Sequence, residues 1–130
     1  MEAAMEKRKI VIMLLNTEPD RPWTLGAPFF QAIVATTLDL EVEMYFASRN
    51  VSLFKPGVAE NLFPGEDNQK SVYSFMQDAH EAGVKFYACG GAMDENDLTV
   101  DSAIPELDGA AGGAAFIGEV IEDDVATLTY

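Results

Sequence analysis

The sequence predicts an α/β domain built on a parallel sheet with helices on both of its faces. Three observations lead there. Short β-type runs alternate with helical patterns along the whole chain, the signature of successive βαβ units. The run over 10–15, Ile-Val-Ile-Met-Leu-Leu, is apolar without alternation, as a strand buried on both faces requires. And 130 residues with 48% hydrophobic content can enclose one core but not two of ordinary size. Residues 1–8 are expected as a flexible N-terminus ahead of a single domain over 9–130.

Taken in order, the first strand covers 10–15 and is followed by a loop over 16–26 that holds Pro19 and Pro22. Pro28 stands where a first helical turn tolerates it, and Phe29, Phe30, Ile33, Val34 and Leu38 follow as one broad helical stripe ending near Asp39. Residues 42–47, dense in aromatic and β-branched side chains, read as the second strand, and 51–55 extend it or begin a short helix. Pro56, Gly57, Pro64 and Gly65 make 56–68 an irregular excursion with one helical turn around 58–62.

Asn68 is a candidate cap for the next helix, in which Val72, Phe75, Met76 and Ala79 share one face and Gly83 supplies a left-handed stop. The third strand, over 84–88, delivers Cys89 to its end. Residues 94–102 are acidic and polar, and 104–109 leave room for a very short fourth strand. Residues 112–121 read as a helix with Phe116, Ile117, Val120 and Ile121 on its apolar face and small residues that let its backbone approach a neighbour. A last strand runs over 125–130. Ligands of parallel sheets collect beyond the carboxyl ends of the strands, so Asn16, Ser48 and Cys89 should lie together.

Composition removes several function classes. Eight Lys+Arg against 22 Asp+Glu give a net charge of −14, which repels phosphate backbones and anionic membranes, so neither nucleic acid nor a membrane surface is an expected partner. No apolar run approaches the ~20 residues of a membrane helix, and the six-residue run after Lys7, Arg8 and Lys9 is too short for a signal peptide. One cysteine makes no intrachain disulfide, and no Cys/His cluster offers zinc its ligands. A reducing cytoplasm is the expected compartment.

Cys89 is the residue that invites chemistry. Lone cysteines commonly serve as small buried hydrophobes, and that reading stays open. Here, however, the thiol ends a strand and is followed by Gly90 and Gly91, which leave its approach open. A helix beginning near Met93 would turn the amides of Gly90, Gly91 and Ala92 toward the sulfur and favour a thiolate or persulfide anion. Asp94, Glu95, Asp97 and Asp101 would oppose that field if they faced it. His80, the only histidine, falls on the flank of its helix beside Glu81, as a solvated surface residue rather than a base for Cys89. The acidic stretch 94–97 lacks the alternating oxygen ligands and central glycine of a calcium loop. The glycines over 109–114 match neither a P-loop nor a dinucleotide fingerprint, and close helix packing accounts for them better.

Several stretches, individually weak, occur in a specific order: Thr17-Glu18 after the first strand, Pro28-Phe29-Phe30, then Phe54-Lys55-Pro56-Gly57-Val58. Glu81-Ala82-Gly83-Val84-Lys85-Phe86-Tyr87-Ala88-Cys89, Met93-Asp94 and Gly112-Gly113-Ala114-Ala115-Phe116 complete the series. In this order and spacing, nearly the whole chain from Lys9 resembles the DsrE/DsrF-like family of sulfur-relay proteins, with its TusD-like subunits. The resemblance implies a three-layer α/β/α sandwich with a five-stranded parallel sheet, one strand very short, assembled as trimers or hexamers. It also implies that Cys89 accepts sulfane sulfur as a persulfide and passes it to a TusA-like carrier or another thiol protein. Relatives often have methionine and serine between that cysteine and the Met-Asp pair, where this chain has Gly90, Gly91 and Ala92.

The expected site is therefore catalytic Cys89, with Gly90, Gly91, Asn16, Lys55, Gly57 and Met93 around the substrate, and neither metal nor organic cofactor. Two other readings stand beside it. One is a non-catalytic oligomeric binding or assembly module of the same fold with an inert cysteine. The other, a thiol peroxidase, lacks a resolving cysteine and a threonine or proline motif before Cys89.

Overall fold

A computed structural model describes residues 6–130. Five strands, β1 (Lys9–Leu14), β2 (Glu41–Phe46), β3 (Lys85–Ala88), β4 (Gly109–Ala110) and β5 (Val125–Thr129), form one sheet in the order β4-β3-β2-β1-β5, and every neighbouring pair is parallel. Four helices, α1 (Ala27–Thr37), α2 (Val72–Glu81), α3 (Gly90–Glu95) and α4 (Gly113–Val120), alternate with them. The three-layer α/β architecture expected from the sequence is thus observed, and the very short strand is β4, two residues long. Of the terminus expected as flexible, residues 1–5 lie outside the described residues. Lys7 donates to the Asp123 carbonyl and Arg8 pairs with Asp124 at 2.6 Å.

The strand order decides where the layers go. Chain progress from β1 through β4 moves one way across the sheet, so α1, α2 and α3 lie on one face, while the return from β4 to β5 carries α4 to the other. The first face holds the main core: Ile12, Leu14, Met44, Phe46 and Phe86 from the sheet meet Phe29, Ala32, Met76 and Ala79 from the helices. Phe46 packs edge-on to Phe86 at 5.3 Å between ring centroids and lies 4.5 Å from Phe54. Such side chains, fully removed from water, contribute about 1.5–3 kcal/mol each. The second face is thinner: α4 contributes only half-buried Phe116 and Val120 to a small cluster with Val11, Tyr45 and Val125.

Several expectations need correction in detail. On α1, the buried residues are Pro28, Phe29, Ala32 and Ala35, while Phe30, Val34 and Leu38 of the supposed core stripe are exposed. The inward face is built of Phe29, Ala32 and Ala35 with Ile33 half-buried beside them, and Phe30, Val34 and Leu38 fall on the opposite side of the helix. Ile117 of α4 and Ile121, which caps that helix, are exposed as well. The cap of α2 is Ser71, whose Oγ accepts from the Ser74 amide at 3.1 Å, and Asn68 instead takes a left-handed turn at φ 51°. Gly83, at φ 103°, ends α2 as expected. Of the two readings of 51–55, a strand extension or a short helix, the helix is the one observed: Ser48–Phe54 coils as a 3-10 helix, as does Pro22–Leu25 in the first loop. Helix α3 begins at Gly90, three residues earlier than expected. Among the described residues no helix is long and apolar enough to cross a membrane.

Candidate functional site

The register of the sheet builds the site. Leu14 pairs with Phe46, Phe46 with Ala88, and Ala88 with Ala110, so the next residues, Leu15, Ala47, Cys89 and Ala111, stand in a row beyond the carboxyl ends of four strands. Backbone bonds continue that row past the strands: the Ala47 amide donates to the Leu14 carbonyl, Cys89 to Phe46, and Ala111 to Ala88. All four residues line one cavity of about 260 Å³, together with Met13, Tyr45, Phe46, Gly112 and Gly113. Apart from the Cys89 thiol and the Tyr45 phenol, its walls carry no ionisable side chain.

Cys89 itself is half-buried and stands at the N-cap of α3, its carbonyl accepting from the Met93 amide at 2.9 Å while its side chain makes no capping bond. The thiol is therefore not consumed by local structure. On its other side the chain entering α4 passes very close: a Cβ placed on Gly112 would sit 3.3 Å from Sγ. The glycine stretch over 109–114 is thus explained at Gly112 by contact with the sulfur, while Gly113 and Gly118 have open space around them rather than a tightly packed neighbour.

Tyr45 forms the floor of the cavity from the second face. Its ring lies 5.5 Å from Tyr87 and 5.4 Å, edge-on, from Phe116, and its hydroxyl donates to Glu43 at 2.8 Å. Burial, reinforced by that bond to Glu43, pushes the phenol well above its ordinary pKa, so it stays neutral and presents only carbon to the cavity. Glu43 in turn meets Lys9 at 2.7 Å, and Lys9 reaches Glu119 of α4 at 3.0 Å. Burial alone would lower the Lys9 pKa, but hydrogen bonds and charge from Glu43 and Glu119 outweigh it and the net shift is upward. This chain of groups ties α4, and with it one wall of the cavity, to the sheet.

Asn50 holds the opposite rim. Fully buried, it donates to the carbonyls of Leu14 and Ala47 and accepts from the Thr17 hydroxyl at 2.8 Å, joining the loops after β1 and β2. Beyond it, Arg49 pairs with Glu18 at 2.7 Å beside a separate polar depression of about 210 Å³ lined by Pro19, Asp20, Arg49, Ser52 and Asn96.

Of the residues singled out in the sequence, Cys89 lines the apolar cavity. Gly90 and Gly91 follow it, exposed, in the first turn of α3, and Asn16 is exposed just past Leu15, its amide bound to the Tyr130 carbonyl. Lys55 and Gly57 belong to the turn after the 3-10 helix Ser48–Phe54, where Gly57 at φ 87° donates to Glu60; neither lines the cavity. Met93 is buried in the main core. Asp94, Glu95, Asp97 and Asp101 are all exposed and none lines the cavity. His80 is not freely solvated: it rests on Phe86 and meets Asp108 at 3.1 Å. Among the described residues no group of three His, Cys, Asp or Glu side chains is arranged to hold a metal ion. Sequence reasoning passed over Met13, Leu15, Tyr45, Ala111 and Gly112; the odd-numbered positions of the first two strands would have pointed to the first three, since they share the face opposite the core.

The fold is shared with solved structures at low identity. The YchN protein from E. coli superposes with a TM-score of 0.72 at 16% identity, covering 97% of this chain and all of that one. The protein MTH1491 from Methanobacterium thermoautotrophicum gives 0.64 at 15% identity over 95% of this chain, and BT1422 from Bacteroides thetaiotaomicron 0.65 at 11% over 98%, each covered along its full length. No functionally curated protein matches in sequence. A sequence model of the DsrE/DsrF-like family matches residues 8–129, nearly the whole chain. With the parallel sheet ending in Cys89 and a family match of that extent, the chain belongs to the DsrE/DsrF-like family.

Proposed function

We propose that this protein is a cytoplasmic sulfur-relay component that takes up sulfane sulfur as a persulfide on Cys89 and hands it to a TusA-like carrier or another thiol protein. The observation that carries the reading is the placement of the sole cysteine: it lines an apolar cavity at the strand ends, with no capping bond on its side chain, Gly90 and Gly91 after it and Gly112 against its sulfur. Transfer between thiols needs a thiolate, a sulfane sulfur within reach and room for the leaving group, and nothing else. In the uptake step the Cys89 sulfur bonds to the outer sulfur of a donor persulfide while the donor's S–S bond breaks and its thiolate leaves. The acceptor thiol repeats the exchange and restores Cys89. Gly90 and Gly91 leave the carrier room to approach, and Asn16, exposed just past Leu15 of the cavity wall, stands on the same rim.

Assembly into homo-oligomers, trimers or hexamers, is part of the same proposal, and the exposed apolar residues of α1 support it. Intact mass after incubation with a polysulfide tests the activity. One sulfur gained by the wild type, removed by reductant and absent from Cys89→Ser, is the expected outcome. A thiol that stays unmodified with every donor leaves the assembly module as the function.

A further inference from the structure

Resting on the sulfur-transfer reading of Cys89, we propose that the donor loading this thiol is a small uncharged hydropersulfide, R–S–SH with an apolar R, in preference to an anionic donor. Three observations carry it. The cavity, at about 260 Å³, lies just below the range of sites that hold drug-sized ligands, roughly 300–1,000 Å³, so it suits a small molecule beside the thiol better than a peptide. Its wall is made of Met13, Leu15, Tyr45, Phe46 and alanine or glycine, with no cation to replace the water that an anion would shed on entry. Besides the Cys89 thiol, the one polar side-chain group among the lining residues, the Tyr45 hydroxyl, is turned to Glu43 and already spent on it. The net charge of −14 adds a long-range term of the same sign, lowering the local concentration of any anion.

The chemistry favours the same form. The outer sulfur of R–S–SH is the electrophile, and ionising it to R–S–S⁻ places negative charge on the atom that the Cys89 thiolate must attack. With the proton kept, the Cys89 sulfur bonds to the outer sulfur, the donor S–S bond breaks, and its electron pair leaves on R–S⁻. The proton lost by the Cys89 thiol, exchanged through water, ends on that leaving group. The sum is Cys89–SH plus R–S–SH giving Cys89–S–SH plus R–SH, with no net oxidation.

The test measures loading of the full chain by intact mass with butyl hydropersulfide, glutathione hydropersulfide and thiosulfate, each rate divided by that of N-acetylcysteine with the same donor. The normalised rate with butyl hydropersulfide should exceed the other two by about tenfold or more. Leu15→Lys, at a rim position already 49% exposed and therefore tolerant of a charge, should move that ratio toward the anionic donors by about tenfold. Equal normalised rates, a preference for either anion, or a ratio unmoved by the lysine overturns the selectivity while leaving sulfur transfer intact. Loading by none of the three, in a chain whose circular dichroism shows it folded, overturns the sulfur-transfer reading and this inference together.

Discussion

Gly112 is the position where a single methyl group separates stability from function. Its φ of −120° asks nothing that only glycine can give, but an added Cβ would meet the Cys89 Sγ at 3.3 Å, so the cost falls on the sulfur. Gly112→Ala is expected to slow sulfur loading by about tenfold while lowering stability by only ~1 kcal/mol, the lower end of overpacking costs. Parallel intact-mass kinetics and urea unfolding check this; a loss of stability with unchanged loading would reverse the assignment. Asn50 shows the opposite division. Its side chain is bonded on every side, and truncation leaves the Thr17 hydroxyl buried without its partner. Asn50→Ala should cost about 2–3 kcal/mol in urea unfolding, because a stranded buried polar group forfeits its hydration as well as its bond. Cys89 was legible in the sequence because it is unique and ends a strand-like run. Asn50 was not, since an asparagine after a strand reads as a turn residue until the loop it reaches is known.

Among the elements, α4 and the face beneath it set the pH behaviour. The Tyr45 hydroxyl, Glu43, Lys9 and Glu119 form one connected chain between sheet and helix. Tyr45 and Lys9 both have pKa values raised in the folded state, so folding holds their protons above the pH at which the unfolded chain releases them. Their contribution is complete below about pH 10 and is lost as pH rises beyond it. Tyr45→Phe should therefore be less stable than the wild type at pH 8 by about 0.5–1.5 kcal/mol, for the lost bond to Glu43. Above about pH 10 that gap should close by ~1 kcal/mol per pH unit, because only the wild type still has this phenol to ionise. Urea midpoints at pH 8 and pH 11 measure it, and a gap that widens would show the sign to be wrong. The elements themselves were legible because strand runs and helical spacing are local properties of the chain. Which side of a helix is inward is not local. On α1 apolar residues surround most of the circumference, so the spacing alone does not say that the face of Phe29, Ala32 and Ala35 is the one turned to the sheet. The cap at Ser71 and the 3-10 coils were hidden likewise, each depending on backbone that neighbouring segments hold in place.

At the scale of the molecule, two features oppose one another. Each copy carries a net charge of −14, which repels other copies, yet α1 presents Phe30, Val34 and Leu38 at four-residue intervals, 60%, 40% and 67% exposed, along one outward stripe. Apolar surface in that arrangement gains by being covered, and added salt does not screen that gain, whereas repulsion between exposed charges fades beyond ~10 Å at 0.1 M ionic strength. Self-association through α1 should accordingly tighten as salt is added, the reverse of an interface held by ion pairs. Sedimentation velocity at low and at ~0.5 M salt should show the larger species gaining population in the second, where the screening length falls to a few ångströms. Val34→Glu with Leu38→Glu places two more negative charges on the stripe at sites already open to water, so the fold should survive within about 0.5 kcal/mol while the oligomer is lost at both salt levels. A wild type that stays monomeric at both salt levels removes the assembly; an oligomer that persists in the double variant moves its interface off α1 and toward the thinly covered second face, where Ile117 and Ile121 of α4 stand exposed beside the chain that enters the Cys89 cavity.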